Sequence, residues 1–292
     1  MKEKKTKINL VFKIVHGLMR ITSKILCMLS PRLAARWADM LFFIPIGLPR
    51  PSSELPFYES AIHSSIKYNG KKVALYTWGE GEKTIIMVHG WASRGTRLGH
   101  LAIPLNELGY RVVTFDAPAH GDSEGKTTNL LEVSEIINLI YEKFKPIHAI
   151  IGHSFGGMAL TNAVHRNDLK VSRVAVIASP FSMNYIIESF RKIINIDSKI
   201  TDMMVERIQK RILKQKNVDV FSLSLESFAS SFKTPILVIH DSEDGDVAYE
   251  QGKEYAENFP NAEFISTTGL GHRRILRDAG IIDKLIKFIT SS

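Results

Sequence analysis

The hydrophobic pattern of the chain changes near residue 60 and from there predicts an α/β domain. Short runs rich in Val and Ile alternate with longer stretches of helical periodicity, a pattern typical of buried parallel strands separated by helices. The runs lie at residues 84–90, 110–116, 148–154, 173–179, 234–241 and 262–269. Before them, residues 62–68 and 73–78 flank Asn69-Gly70, which predicts an antiparallel hairpin. We therefore expect a mostly parallel twisted sheet with helices on both faces and one hairpin at its start.

Residues 8–30 show a different pattern, that of a basic amphipathic helix. Lys13, His16, Arg20 and Lys24 fall on one helical stripe, and apolar residues cover most of the remaining surface. These polar residues interrupt the segment too often for a transmembrane helix or a signal-peptide core. Two interpretations are open: a peripheral anchor on an anionic membrane surface, or a helix that packs its apolar face on the protein body or on another chain.

The order of these patterns predicts the domain organisation. Ser30-Pro31 predicts the start of a second short helix, and the prolines that follow predict a linker. Residues 1–58 are then an amphipathic helical arm with its linker, and residues 59–292 are the main domain. Inside the main domain, residues 181–232 contain two amphipathic helical stretches between the sixth and seventh strands.

The charge of the chain is concentrated in the arm. The 292 residues carry a formal net charge of +8. Residues 1–50 contain ten basic and two acidic side chains, and residues 51–292 contain 28 of each. A nucleic-acid-binding domain needs its basic excess on the folded surface that grips phosphate, so we expect no nucleic-acid partner for the main domain.

The cysteine content limits the compartment and the chemistry. Cys27 is the single cysteine of the sequence, which excludes an intramolecular disulfide and a set of thiols for zinc. A reducing compartment fits this usage, so the expected location is the cytoplasm. If the arm is a membrane anchor, the protein would lie on the inner face of the membrane.

The pattern Gly-x-Ser-x-Gly occurs twice, and its context distinguishes the two copies. Ser154 lies in residues 152–156, directly after a predicted strand and before a helical stretch. A nucleophilic serine needs such a tight strand-to-helix turn between small residues. Ser123 lies in residues 121–125, within a loop and between Asp122 and Glu124, whose charges would oppose an oxyanion. Ser154 is therefore the candidate nucleophile, and Ser123 is interpreted as a loop serine.

A serine nucleophile needs a histidine base and an acid that orients the histidine. In the fold that carries this turn, the chain order is serine, acid, histidine. His272 is the histidine that follows the acidic cluster after the seventh strand, and it lies on a glycine-rich turn after the last strand. Asp244 is the candidate acid, and Asp246 remains the alternative.

The fourth part of the predicted site is an oxyanion hole made of two backbone N–H groups. One should come from Phe155, the residue after the nucleophile, and the other from Trp91, in the loop after the third strand. His89, which precedes this loop, is interpreted as a residue that braces the loop.

With these residues in place, residues 60–292 resemble the α/β-hydrolase superfamily. The resemblance rests on five motifs: VHGW at 88–91, FDAPAHGDS at 115–123, GHSFGG at 152–157, HDSEDGDV at 240–247 and GLGH at 269–272. It implies triad roles for Ser154, Asp244 and His272, oxyanion roles for Trp91 and Phe155, and ester hydrolysis without a metal or cofactor. Ala119 departs from the family, which often has glycine there.

The resemblance also identifies residues 181–232 as a cap that shapes an acyl pocket. The candidate lining residues are Phe181, Met183, Tyr185, Phe190, Met203 and Met204. Each of these side chains could instead hold the cap to the body.

These observations predict a serine hydrolase, a carboxylesterase acting on small or medium acyl esters. The alternatives with the same mechanism are a thioesterase and a lipase. An alternative from another class is a non-catalytic, membrane-associated binding protein that keeps the fold. The expected partner is a small-molecule ester, with peripheral membrane contact through residues 8–30 under the first interpretation of the arm. The oligomeric state is left open.

Overall fold

The computed structural model describes residues 2–47 and 49–291 of the chain, with side chains from residue 14 onward. The chain divides into two compact units. The first, here called the arm–cap unit, consists of Met1–Ile44 and Met183–Ser222. The second, here called the body, consists of Pro45–Ser182 and Leu223–Ser292.

One eight-stranded sheet forms the centre of the body. Its strands are β1 (Ile62–Tyr68), β2 (Lys71–Trp78), β3 (Thr84–Val88), β4 (Arg111–Phe115), β5 (Ile147–His153), β6 (Arg173–Ile177), β7 (Ile236–Asp241) and β8 (Ala262–Thr267). They lie in the order β1-β2-β4-β3-β5-β6-β7-β8. The pairs β1–β2 and β2–β4 are antiparallel, and the other pairs are parallel. The predicted mostly parallel sheet with an initial hairpin is confirmed.

The hairpin turn has the backbone that its sequence predicts. Asn69 and Gly70 have φ values of 48° and 77°. A two-residue turn with both residues at positive φ matches the twist of the flanking strands, and Asn-Gly is the pair that adopts it at least cost. The turn therefore sets the register of β1 on β2, in which Tyr68 lies opposite Lys71.

Helices cover both faces of the sheet. The α-helices of the chain are α1 (Lys2–Leu29), α2 (Pro31–Phe42), α3 (Leu55–Ser60), α4 (Gly99–Glu107), α5 (Leu130–Phe144), α6 (Phe155–Arg166), α7 (Met183–Ile194), α8 (Ser198–Lys216), α9 (Tyr249–Asn258), α10 (Gly271–Arg274) and α11 (Ala279–Thr290). On one face, Leu101 of α4 and Leu285 of α11 pack with Met87 and Ile151 of the central strands. Helices α5 and α6 pack together and against β3. This double cover explains why the central strands are apolar along their whole length.

In its described part, the arm–cap unit contains the four α-helices α1, α2, α7 and α8. Helix α2 packs on α8 and contacts α1, and α1 also contacts α7. The face of α2 toward its neighbours is made of small side chains, and Ala34, Ala35 and Ala38 are fully buried. The carboxylate of Asp39 accepts two hydrogen bonds from Arg211 of α8, at 2.9 and 2.7 Å.

These contacts divide the chain differently from the prediction, which separated the arm (residues 1–58) from the main domain (residues 59–292). In the structure, the arm helices belong to one unit with α7 and α8. The predicted cap, residues 181–232, stays a prediction; of these residues, those from Leu223 onward belong to the body. There the side chain of Asn162 donates to the carbonyl of Leu223 at 2.5 Å, and the ring of Phe228 stacks on His165 at 4.0 Å.

The structure also bears on how the chain could meet a membrane. Among the described helices, none is both long enough and apolar enough to cross a bilayer.

Candidate active site

The turn between β5 and α6 holds Ser154 in a strained backbone conformation. Its φ is 55° and its ψ is −130°, a region that non-glycine residues rarely adopt and that costs on the order of 1–3 kcal/mol. The N–H of Ser154 donates to the carbonyl of Ile177 at 2.9 Å, and its own carbonyl accepts from Gly157 at 2.9 Å. The turn thus leaves the side chain partly exposed at the carboxyl edge of the sheet.

Glycines make room for this turn. A methyl group at Gly156 would lie 2.3 Å from the carbonyl oxygen of Val88. A methyl group at Gly152 would lie 2.3 Å from the side chain of Leu160, and one at Gly90 would lie 2.8 Å from the β-carbon of Ser154. Any larger residue at these positions would push the turn away from β3, so the small residues are required for this placement of Ser154.

His272 lies at the same edge, in contact with Asp244. Its Nδ1 is 2.8 Å from Oδ2 of Asp244. The Asp244 side chain is fully buried, and its Oδ1 accepts the N–H groups of Asp246 and Val247 at 2.8 and 2.9 Å. Asp246 is 49% exposed and forms an ion pair with Arg273 at 3.2 Å. The structure therefore brings Asp244, rather than Asp246, to His272.

Opposing effects act on the pKa of Asp244. Burial alone would raise it, but the hydrogen bond and charge of His272 and the two backbone N–H groups together lower the pKa below its ordinary value of 3.8. Asp244 is therefore ionised at neutral pH. An ionised carboxylate on Nδ1 fixes the tautomer of His272, so that Nε2 is the nitrogen available as a base.

A second buried carboxylate, Asp241, shapes the loop that carries His272. Its Oδ2 accepts from the hydroxyl of Thr267 at 2.7 Å and from the N–H of Leu270 at 2.9 Å. Its Oδ1 accepts from the N–H of Glu243 at 3.0 Å. One side chain at the end of β7 thus ties together the loops of both members of the Asp244–His272 pair.

His153, the residue before Ser154, is a contact that reasoning from the sequence missed. Its Nε2 lies 2.8 Å from the carbonyl oxygen of His272, and the two rings are 4.6 Å apart. Burial, followed by the nearby charge of His272, lowers the pKa of His153 well below its ordinary value. His153 is therefore neutral and donates to that carbonyl, which fixes the backbone of His272 beside Ser154. The only sequence signal for this role is its place in Gly152-His153-Ser154.

The side chains of the two residues predicted as oxyanion donors are in contact. Phe155 is the first residue of α6, so its N–H has no acceptor within the helix. The ring of Trp91 meets the ring of Phe155 edge to face at 5.3 Å. Next to Trp91, the N–H of Ala92 donates to Nε2 of His120 at 3.0 Å. The oxyanion roles of the backbone N–H groups of Trp91 and Phe155 stay predictions.

Two buried histidines brace these loops. The Nδ1 of His89 lies 2.7 Å from the carbonyl of Gly90, and its Nε2 accepts from the N–H of Ala117 at 2.9 Å. Burial lowers the pKa of His89 to about 4. Burial, and then the proximity of His89, lowers the pKa of His120 to about 3. Both rings are neutral and bonded to backbone, which agrees with the bracing role expected for His89.

The second Gly-x-Ser-x-Gly copy lies in a different setting. The hydroxyl of Ser123 donates to the carbonyl of Asp116 at 2.5 Å and accepts from the N–H of Ala74 at 2.8 Å. The backbone around it follows the loop after β4, not a strand-to-helix turn. Ser123 thus joins this loop to β2, as expected of a loop serine.

The backbone conformation of Ala119, in the same loop, explains why related proteins often have glycine at this position. Its φ is 64°, in the left-handed region where a side chain costs roughly 1–2 kcal/mol. The departure from glycine is therefore a local strain in the loop, away from the Asp244–His272 pair.

The predicted pocket residues fall in both units. Phe181 is 1% exposed and packs edge to face on Tyr255 and Phe259, at 5.4 and 6.2 Å, inside the body. Its contacts are those of a core side chain. Met183 is buried at the start of α7, and Tyr185 is half-buried in the first turn of the same helix. Their pocket roles stay predictions.

Within the described residues, no group of three or more His, Cys, Asp or Glu side chains is arranged to hold a metal ion.

Comparisons with known proteins agree with the fold of the body. Residues 83–211 match a family model for the alpha/beta hydrolase fold. The pimeloyl-[acyl-carrier protein] methyl ester esterase of Photobacterium profundum is 33% identical over 104 residues, which cover 35% of this chain and 39% of that protein. Protein ABHD12B of Homo sapiens is 28% identical over 199 residues, covering 63% of this chain and 51% of that protein.

The solved structure of the esterase EaEST from Exiguobacterium antarcticum superposes with a TM-score of 0.60. It is 18% identical, and the superposition covers 79% of this chain and 100% of that one. This likeness concerns the fold. The chain spans less than two thirds of the length of either curated relative. Proteins named esterases thus occur among both the sequence relatives and the structural neighbours.

Proposed function

We propose, from the premise that this chain is a member of the α/β-hydrolase superfamily, that it is a serine carboxylesterase acting on small or medium acyl esters. The observation that carries the proposal is the hydrogen bond between His272 and the buried, ionised Asp244. This pair lies at the sheet edge where the strained turn presents Ser154.

Each residue has a defined part in the first half of the reaction. Ser154 Oγ attacks the ester carbonyl carbon while Nε2 of His272 takes the hydroxyl proton. Asp244 holds Nδ1 and stabilises the imidazolium that forms. The carbonyl oxygen becomes an oxyanion, which the N–H groups of Trp91 and Phe155 bind.

The second half of the reaction regenerates the enzyme. The tetrahedral intermediate collapses, the bond to the alcohol oxygen breaks, and His272 gives its proton to the leaving alcohol. Water then attacks the acyl carbonyl carbon while His272 takes a proton from it. The acyl–Oγ bond breaks, His272 returns the proton to Oγ of Ser154, and the acid is released. His272 returns each proton that it takes, first to the alcohol and then to Ser154, so this mechanism calls for no cofactor.

His153 supports the proposal as a positioning residue. Its bond to the carbonyl of His272 limits how far the His272 loop can move away from Ser154. A base must lie within hydrogen-bond reach of the proton it removes. Such a restraint therefore increases the fraction of molecules in which His272 is placed to take the proton of Ser154.

The compartment is also part of the proposal. A single cysteine, Cys27, which is free, fits a reducing compartment such as the cytoplasm.

A fluorophosphonate probe tests the assignment of the nucleophile. Wild-type protein should be labelled, with the adduct mapped to Ser154 by peptide mass spectrometry. Ser154→Ala should lose the label, and Ser123→Ala should keep it as the matched control. A folded wild-type protein that takes no label would overturn the enzyme assignment and favour a non-catalytic binding protein.

A panel of substrates tests the class. We expect turnover of p-nitrophenyl and methyl esters of short and medium acids to exceed that of the corresponding acyl thioesters and of long-chain lipid esters. The methyl esters are included because one relative is named a methyl ester esterase. Faster turnover of thioesters, or of long-chain esters, would assign a thioesterase or a lipase instead.

A further inference from the structure

Helix α1 exposes a continuous row of large apolar side chains, here called the apolar stripe. Its members recur every three or four residues and so lie on one face of the helix. They are Ile14, Leu18, Ile21, Ile25, Met28 and Leu29, which are 52%, 59%, 59%, 52%, 80% and 71% exposed. A row of this kind on a folded chain is typical of a surface that meets another phase or another protein.

The opposite, more polar face of α1 is the one that packs on the arm–cap unit. Arg20 donates to the carbonyls of Ile193 and Lys192, at 3.0 and 3.4 Å. Ser23 is fully buried, and its hydroxyl donates to the carbonyl of Asn195 at 3.4 Å. The contacts of α1 with its own unit thus leave the apolar stripe uncovered. An alternative in which α1 packs this row on the neighbouring helices of its own unit does not match these contacts.

Charge identifies the occupant of the stripe. Residues 1–50 contain ten basic and two acidic side chains. One of those acids, Asp39, is buried and paired with Arg211, so it does not offset the basic surface. Exposed Lys24 borders the stripe, and exposed Arg32 and Arg36 follow it on α2. A second copy of the chain would bring these like charges together, whereas an anionic bilayer complements them.

Helix α2 continues the same surface character. Its Leu33 and Met40 are 51% and 58% exposed, and Arg32 and Arg36 are exposed between and beside them. Apolar side chains mixed with arginines suit the boundary between lipid headgroups and acyl chains, where the apolar groups enter the lipid and the guanidinium groups stay among phosphates.

We propose that the apolar stripe of α1 binds an anionic lipid surface, with the helix lying in the plane of the interface. The described helices include none able to cross a bilayer, and a one-sided stripe with a basic border is the pattern of a helix that lies on one. The proposal is independent of the hydrolase assignment, because it uses no residue of the candidate active site.

The test is co-sedimentation of the full chain with vesicles of phosphatidylcholine containing about one third phosphatidylglycerol. Wild-type protein should bind these vesicles, and Ile21→Asp/Ile25→Asp should bind at least about tenfold more weakly, because burying even one such side chain is worth about tenfold in partitioning. The matched control is Leu108→Asp/Leu139→Asp, which adds the same charge at positions 53% and 42% exposed in the body. This control should bind nearly as wild type.

Further measurements separate the alternatives. Pure phosphatidylcholine vesicles should bind the wild-type protein more weakly, and high salt should weaken binding to the anionic vesicles. Equal binding by Ile21→Asp/Ile25→Asp and wild type would overturn the proposal. A wild-type dimer in sedimentation velocity that this variant dissociates, without vesicle binding, would assign the stripe to a second copy. Circular dichroism and the thermal midpoint of each variant should match wild type, since the changed side chains are exposed.

Discussion

The carboxyl edge of the sheet buries charged side chains, whereas helix α1 exposes apolar ones. At the sheet edge, the side chains of Asp116, Asp241 and Asp244 are buried. Each of these carboxylates accepts hydrogen bonds from backbone or side-chain donors. On α1, the side chains of the apolar stripe are more than half exposed, whereas Ser23 is fully buried.

The difference indicates different tasks for the two regions. Burying a carboxylate is costly unless hydrogen bonds satisfy it, so the paired acids of the sheet edge form a rigid framework for chemistry. Leaving a row of large aliphatic side chains in water is also unfavourable. Such a row is explained when a further surface covers it. The buried acids of the body are therefore bonded by donors of the body itself, whereas the apolar stripe of α1 would be covered by the lipid surface that we propose.

The largest expected effect tests whether the buried acid at the sheet edge serves chemistry. Asp244→Asn keeps an oxygen for the N–H groups of Asp246 and Val247 but offers no carboxylate to His272. We expect kcat on p-nitrophenyl acetate to fall by about 10⁴, because the base loses its tautomer control. Asp246→Asn, the matched control in the same loop, should stay within about twofold, since its pair with Arg273 is exposed. The reverse ranking of the two variants would show that the acid is Asp246.

The second prediction tests whether Asp39, the buried acid of α2, has a purely structural role in the arm–cap unit. Asp39→Asn removes a carboxylate that accepts two charge-assisted hydrogen bonds from Arg211. We expect this change to lower the free energy of opening of α8 by about 2 kcal/mol, read by hydrogen–deuterium exchange, without lowering kcat. Asp202→Asn, at an exposed position of the same helix, is the control and should leave exchange unchanged. Equal loss of protection in α8 and in β5 would contradict a local role.

The last effect is the smallest for a change of one pH unit, and it concerns the buried neutral histidines of the body. The pKa of His120 is lowered to about 3 in the folded protein, so below about pH 6.5 the unfolded chain binds one more proton at this residue. Stability must therefore fall as the pH falls from about 6.5 toward 3, and His120 contributes up to about 1.4 kcal/mol per pH unit to that slope.

Urea unfolding of wild type and His120→Asn between pH 7 and pH 4 would measure this slope. The variant should be less stable at pH 7, because the N–H of Ala92 loses its acceptor. The difference in unfolding free energy should shrink as the medium becomes acidic. Parallel curves for the two proteins would mean that His120 does not contribute to the pH dependence.

Much of the body could be predicted from local sequence. The apolar runs mark strands whose bounds differ from the predicted ones by a few residues, and Asn69-Gly70 marks the hairpin turn. Those features depend on neighbouring residues and on periodicity, which the chain carries wherever it folds. The strand-to-helix context of Ser154 belongs to the same class, because glycine and strand signals flank it directly.

The contacts that distinguish similar residues could not be predicted in this way. Asp244 and Asp246 are two positions apart in one acidic loop, and the loop's path decides that Asp244 is buried against His272 while Asp246 meets Arg273. That path depends on Asp241, which bonds a second loop 26 or more residues away. His153 contacts the carbonyl of His272 across 119 positions, and no local pattern encodes such a pair.

Helix α1 shows the same division most clearly. Its amphipathic pattern and its basic charge are properties of residues 8–30 alone, because helical spacing fixes which side chains share a face. Which face packs inward depends on the carbonyls of Ile193, in α7, and of Asn195, just after it, which accept from Arg20 and Ser23. The sequence by itself determined the fold, the strand-to-helix turn that carries Ser154 and an amphipathic arm. Only the tertiary structure decided the partner of His272 and the outward direction of the apolar stripe, because both depend on groups that are distant along the chain.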